Sequence, residues 1–162
     1  MTEIINHYSP AFRGNVKKTR VSCRGILIKD NKILLSHEVN GDVYMSPGGG
    51  VEEGESFEEC CIRELQEETG YIVKPLKHIF TVNEYIFDEL FVSQYFTCEI
   101  IGTGEISLTE TEIDHGITPE WVELSEATNI FGKYKEKTPD KESLYFREFT
   151  VINKYKEMMG LV

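Results

Sequence analysis

The chain has 162 residues, of which 40% are hydrophobic and 28% charged, and a formal net charge of -11. That length suits one domain with a substantial core. The acidity disfavours stable nucleic-acid binding, which needs a basic surface, but it leaves phosphate substrates open, because clustered carboxylates hold cations that in turn meet phosphates.

The first 17 residues are mixed and polar, with Pro10 and Gly14, and read as an N-terminal arm or a short edge strand. MTEIINHYSPAFRGN has no apolar run, so no signal peptide is expected, and no stretch approaches a membrane span. Arg20 to Ile28 reads as a strand. Asp30-Asn31 is a turn signal, and Lys32 to His37 completes an expected hairpin. Val43-Tyr44-Met45 is short and apolar, and leads into Ser46-Pro47-Gly48-Gly49-Gly50. Ser56 is placed to cap a helix over Phe57 to Thr69 that stops at Gly70. Glu58 and Glu59 suit the positive end of its dipole. Phe57, Cys60, Cys61 and Leu65 recur at helical spacing and predict its buried face.

Tyr71-Ile72-Val73 restarts an extended segment, and Lys77 to Tyr85 and Leu90 to Ile101 are strand candidates. Thr109 to Pro119 reads as a polar acidic loop, Trp121 to Leu124 as a short strand, and Ser125 as the cap of a short helix. GKYKEKTPDK, residues 132–141, reads as a charged loop, and Leu144 to Met159 as the last helix, with Tyr145, Phe149 and Ile152 on one side. Cys23, Cys60, Cys61 and Cys98 show no Cys-x-x-Cys or His-rich spacing, so they read as reduced thiols of a cytoplasmic protein rather than zinc ligands.

The chemistry concentrates between Gly48 and Tyr71. Glycines at 48, 49 and 50 let the backbone approach a ligand closely. Glu64, Glu67 and Glu68 fall on one helix face at about 100° per residue. Like charges so spaced cost a helix a few tenths of a kcal/mol per pair, roughly. A hard cation bound by oxygen ligands, Mg²⁺ or Mn²⁺, would offset that cost. Arg63 is placed to pair with Glu55 or a neighbouring glutamate and to hold its orientation. Three glutamates alone would also suit a solvated acidic face.

The wider pattern decides between these readings. Gly49, Glu55, Arg63, Glu64, Glu67, Glu68 and Gly70 match the Nudix box at all seven fixed positions, with Leu65 and Tyr71 in its apolar slots. Chance agreement lies below roughly 10⁻⁷ per register at ordinary residue usage. The stretch thus resembles the Nudix hydrolase family. Weaker similarity lies in the Arg20 to His37 segment, in Ser46-Pro47-Gly48-Gly49 and in Trp121 to Glu126. The resemblance implies a single α/β Nudix domain over residues 18–160, an α/β/α sandwich around a mixed sheet with the box as loop-helix-loop.

It also implies a divalent-metal-dependent pyrophosphohydrolase. Water would attack a phosphorus of a nucleoside diphosphate linked to another moiety. Glu64 and Glu68 would be the carboxylate ligands of Mg²⁺ or Mn²⁺, and Glu67 a third ligand or the base. The Gly48 carbonyl would also ligate metal, and Arg63 with Glu55 would orient these groups. An additional acidic ligand is expected from Glu110, Glu112 or Asp114, or from Glu99. Tyr44, Tyr85, Phe87, Phe91 and Trp121 are candidates for stacking on a base, though each also suits the core. Residues 85–88, Tyr-Ile-Phe-Asp, lack the proline that some family members associate with ADP-ribose, and the longer signatures for coenzyme A or NADH substrates are absent. The family includes monomers and homodimers, and also nucleotide-binding or regulatory modules without catalysis. Such modules typically lose box carboxylates, and none is lost here.

Overall fold

The computed structural model describes residues 1–161. In chain order the strands and helices are β1 (Glu3–Tyr8), β2 (Lys18–Ile26), β3 (Ile28–Lys29), β4 (Lys32–Glu38), β5 (Val43–Met45), β6 (Gly48–Gly50), α1 (Phe57–Thr69), β7 (Tyr71–Ile86), β8 (Glu89–Thr103), α2 (Glu110–His115), β9 (Ile117–Glu123), α3 (Leu124–Gly132) and α4 (Pro139–Met158). A five-stranded mixed sheet runs β1-β7-β8-β2-β6. In the second sheet β4 carries β9 along one edge, and β3 and β5 pair with its two ends.

Strand alternation explains the layering. Ile33 and Leu35 of β4 join the core under α3 and α4, with Val122, Phe131, Val151 and Ile152. Leu34, between them, joins the core under α1, with Cys60, Cys61 and Leu65. Tyr95 and Phe96 of β8 divide in the same way. Successive side chains point to opposite faces, so strands of alternating large apolar residues are buried on both. The result is the expected α/β sandwich of helices about mixed β-structure.

Of the two readings of the first residues, the edge strand is the one found, β1 pairing in parallel with β7 from Glu3↔Phe80 to Tyr8↔Tyr85. Several elements depart from expectation. The expected hairpin shrinks to β3 with β4. β2 instead pairs in parallel with β8 and antiparallel with β6. The acidic loop after Thr109 contains α2, held by a reciprocal capping box between Thr109 and Glu112. α4 begins at Pro139, five residues before Leu144, with proline in its first turn. Phe57 is 39% exposed and does not join the buried face of α1. It sits at the first turn, where its ring meets His78 of β7 edge-on. All four cysteines are free.

Candidate active site

α1 keeps its expected bounds because both ends are sealed. Ser56 Oγ accepts from the Glu59 amide, and Glu59 Oε2 accepts from the Ser56 amide. Gly70 donates to the Gln66 carbonyl at the other end. With Cys60, Cys61 and Leu65 anchored inward, the helix turns Glu64, Glu67 and Glu68 towards the glycine strand β6.

These groups line a cleft of about 440 Å³. Gly48, Gly49, Gly50, Arg63, Glu64, Glu67, Glu68 and Glu112 are all on its wall, together with Glu38, Glu52, Arg20, Arg24 and His115. Gly48 is sterically required, because a β-carbon there would lie 2.0 Å from the Cys23 carbonyl oxygen, whereas one on Gly49 would lie 2.4 Å from Glu64 Oε2 and would force that carboxylate to move.

Arg63 organises the carboxylates. Its Nε donates to Glu55 Oε1 (2.6 Å) and its Nη2 to Glu55 Oε2 (3.0 Å), a bidentate pair. Nη2 also donates to the Gly50 carbonyl (3.0 Å), and Nη1 to Glu64 Oε1 (2.8 Å) and Glu67 Oε2 (3.1 Å). The Arg63 guanidinium thereby pulls the Glu55 carboxyl down to about 2, against the effect of its burial. Glu68 is the opposite case. It is 5% exposed, and burial pushes it up to about 7, although Ser36 Oγ donates to its Oε1 and Arg24 is near. Glu64 is also raised by burial, a shift that its bonds to Arg63 only partly oppose.

Among the described residues, no three or more His, Cys, Asp or Glu side chains stand in metal-holding geometry. The reason is visible in the bonds: Glu64 Oε1 is turned to Arg63, and Glu68 Oε1 to Ser36. In kind, however, the donor set fits a hard divalent cation. It is all oxygen, and a buried carboxylate raised to about 7 has its charge inadequately compensated by the protein. Glu64, Glu67, Glu68 and Gly48 could hold such an ion.

Of the acidic candidates outside the helix, Glu112 lines the cleft. Asp114 and Glu110 are absent from its wall, and the Asp114 carbonyl instead accepts from Asn40 Nδ2 (2.6 Å). Glu99 lines a separate groove with Tyr71 and Trp121. Glu38 and Glu52 were not anticipated. Glu38 ends a strand remote in sequence and binds His115 Nδ1 (3.1 Å). Glu52 lies 3.7 Å from Arg63. Its place two residues after Gly50 was a legible signal.

A model of the NUDIX domain matches residues 18–147. An ADP-ribose pyrophosphatase of Methanocaldococcus jannaschii is 40% identical over 91 residues, 53% of this chain and 53% of the relative. The uncharacterised Nudix hydrolase YvcI of Bacillus subtilis is 31% identical over 107 residues, 65% of this chain and 66% of the relative. The chain thus aligns with about half and about two thirds of these relatives' lengths. The structure of a NUDIX hydrolase from Nitrosomonas europaea is similar at a TM-score of 0.60 with 21% identity, covering 82% of this chain and 89% of that one. A UDP-X diphosphatase structure matches at 0.62 with 16% identity, covering 89% and 64%. These last two speak to the fold alone. With five of the seven box positions on one cleft, Glu55 tied to it through Arg63, and the family model spanning most of the sequence, the chain belongs to the Nudix family.

Proposed function

We propose that this protein is a divalent-metal-dependent hydrolase that cleaves the pyrophosphate bond of a nucleotide derivative by attack of water at phosphorus. The observation that carries this reading is the single cleft that joins Glu64, Glu67 and Glu68 to the glycine strand under the Arg63 clamp. Glu64 and Glu68, with the Gly48 carbonyl, are the ligands for Mg²⁺ or Mn²⁺. Glu67 is a third ligand or the base that takes the proton of water. Its side chain is the most open of the three box carboxylates, 41% exposed against 14% for Glu64. When bound, the metal neutralises phosphate charge and lowers the pKa of water.

The remaining work falls to the chain. Arg63, fixed bidentately by Glu55, holds Glu64 and Glu67 at the cleft. Arg20 and Arg24 supply positive charge on the cleft wall for the phosphate oxygens. Of the loop candidates Glu110, Glu112 and Asp114, Glu112 is the one that lines the cleft. A nucleotide-derivative substrate is supported by relatives described as an ADP-ribose pyrophosphatase and, in Haemophilus influenzae, as an NAD-capped RNA hydrolase, the latter 33% identical over 105 residues.

The test is a panel of nucleoside triphosphates, nucleoside diphosphate sugars and dinucleotides, incubated with Mg²⁺ or Mn²⁺ in ¹⁸O-water with the products identified. Cleavage with ¹⁸O in one phosphate product is expected. No turnover of any compound with either metal contradicts the reading.

A further inference from the structure

The carboxylate cleft explains how phosphates are held, but it has no platform for a base. Its only ring is that of His115, which is bound to Glu38. We infer that a second cavity, of about 400 Å³ between α4 and the sheet, binds the nucleoside of the substrate, and that the substrate carries a single base. This rests on the hydrolase reading for the position of the phosphates, but not for the cavity itself.

Register builds the cavity. β2 and β8 align Arg20 with Phe91 and Ser22 with Ser93, and β7 brings Glu84 beside Phe91. Residues two apart share a sheet face, so Arg20, Ser22 and Arg24 rise on the same side as Phe91 and Ser93. The first turns of α4 roof this face. Their wall is rigid: Arg147 donates to Glu84 Oε1 (2.8 Å) and to Glu148 Oε1 (3.0 Å), and Ser143 Oγ donates to Glu84 Oε2 (2.7 Å). The size falls in the range of ligand cavities, roughly 300–1,000 Å³.

Two features tie this cavity to the cleft. Arg20 and Arg24 line both. The Arg20 guanidinium lies over the glycine strand, 3.6 Å from where a β-carbon of Gly50 would be, and Arg24 Nη1 donates to the Ser46 carbonyl (2.8 Å). Among the described residues, neither arginine has a salt-bridge partner. Two guanidinium groups without a carboxylate partner at the junction suit a phosphate chain passing from one cavity to the other. Beyond them, Phe91 with Ile86 and Leu144 offers the apolar surface that a planar heterocycle needs, and the buried hydroxyls of Ser22 and Ser93 offer hydrogen bonds.

Phe87 lines the same cavity, with the Arg13 guanidinium 5.7 Å from its ring centroid, and the remaining aromatic candidates are committed elsewhere. Tyr44 stacks on His37 (3.9 Å between centroids) and Tyr85 on Tyr8 (4.3 Å). Trp121 Nε1 donates to the Tyr71 hydroxyl (3.1 Å), in a groove that shares no residue with the carboxylate cleft. One aromatic cavity opens onto the arginine junction, so one base is accommodated: a nucleoside triphosphate or a nucleoside diphosphate joined to a group without a base.

The binding arm of the test needs neither metal nor turnover. The four common nucleoside monophosphates are titrated into the metal-free full chain by NMR, using the wild type, Phe91→Leu, Phe91→Ala, Arg20→Gln and Trp121→Phe. Phe91→Leu keeps apolar volume and guards against misfolding. At least one monophosphate is expected to bind and to weaken at least ten-fold in Phe91→Leu and Phe91→Ala. Trp121→Phe should bind as wild type. Arg20→Gln should weaken the monophosphate and leave the free nucleoside unchanged. Absence of binding by all four, wild-type binding in folded Phe91→Leu, or loss in Trp121→Phe instead would overturn the assignment. A turnover arm separates the two proposals. Phe91→Leu should raise KM for a nucleotide and not for base-free phosphoribosyl pyrophosphate. Binding that follows Phe91 without any hydrolysis would sink only the hydrolase reading. Hydrolysis indifferent to Phe91 would sink only this one.

Discussion

The Glu64 carboxylate rests directly against the backbone of Gly49, so closely that a β-carbon there would stand 2.4 Å from its Oε2 and 2.5 Å from its Cδ. The glycine therefore sets where the carboxylate can stand. Gly49→Ala is expected to displace Glu64 and to weaken Mn²⁺ binding and hydrolysis at least ten-fold, while the melting temperature in EDTA falls only slightly. Mn²⁺ calorimetry beside thermal melts checks this. Unchanged Mn²⁺ affinity would mean that Glu64 is not a ligand.

Glu68 makes the metal-free protein sensitive to pH near neutrality. Its folded pKa, about 7, lies above the ordinary 4.5. A carboxyl raised on folding favours the fold while protonated, so this stability is present below about pH 4.5 and is lost as pH rises through 7. The span corresponds to about 3 kcal/mol at most. Melting temperature in EDTA should fall between pH 5 and pH 8, and Glu68→Gln should flatten the slope. Millimolar Mg²⁺ should restore stability at pH 8, with proton release on binding. A slope equally steep in Glu68→Gln would assign it elsewhere.

Glu55 acts with the opposite sign. Arg63 holds its pKa at about 2, below the ordinary value, so the pair's contribution is full above about pH 4.5 and is lost as pH falls through 2. Glu55→Gln should reduce acid-induced loss of stability in that window. It should also lower activity at neutral pH by roughly 10- to 100-fold, as loss of an orienting partner does at metal sites. Arg63→Lys cannot make the bidentate pair and should behave alike. Full activity in both would remove Arg63 from the positioning role.

The fold and the site were legible in unequal measure. α1 was readable to the residue because its Ser56 cap, inward Cys60, Cys61 and Leu65, and Gly70 stop are all local signals. The partner of β2 was not. Arg20 to Ile26 pairs with Phe91 to Thr97, and nothing in either segment marks a parallel neighbour so distant in sequence. α4 was misread for another reason. Its apolar pattern began at Leu144, yet Ser143, Arg147 and Glu148 are buried, and charged side chains enter a core only with partners that local sequence does not reveal. Glu148 accepts from the Ser46 amide and hydroxyl, from Tyr95 and from Arg147. Within the site the same division holds. The box residues were visible as a motif, whereas Glu38 and the Arg20–Arg24 junction arrive from strands that only the tertiary fold brings to the cleft.

That buried network is itself open to test. Glu148 links α4 to Ser46, two residues before Gly48. Removing one partner leaves Arg147 buried with half its charge partners, a change that costs about 3–5 kcal/mol. Urea denaturation of Glu148→Leu should show a loss of that order. A loss under about 1 kcal/mol would mean that solvent reaches the network.

The most direct measurement of the central proposal is single-turnover hydrolysis of the best panel substrate by wild type, Glu64→Gln, Glu68→Gln and the double variant, with Mg²⁺ and with EDTA. Wild-type cleavage that requires the metal, and a loss of at least 100-fold in each folded variant, is the expected result. Turnover of the double variant at the wild-type rate, or wild-type turnover undiminished by EDTA, would contradict it.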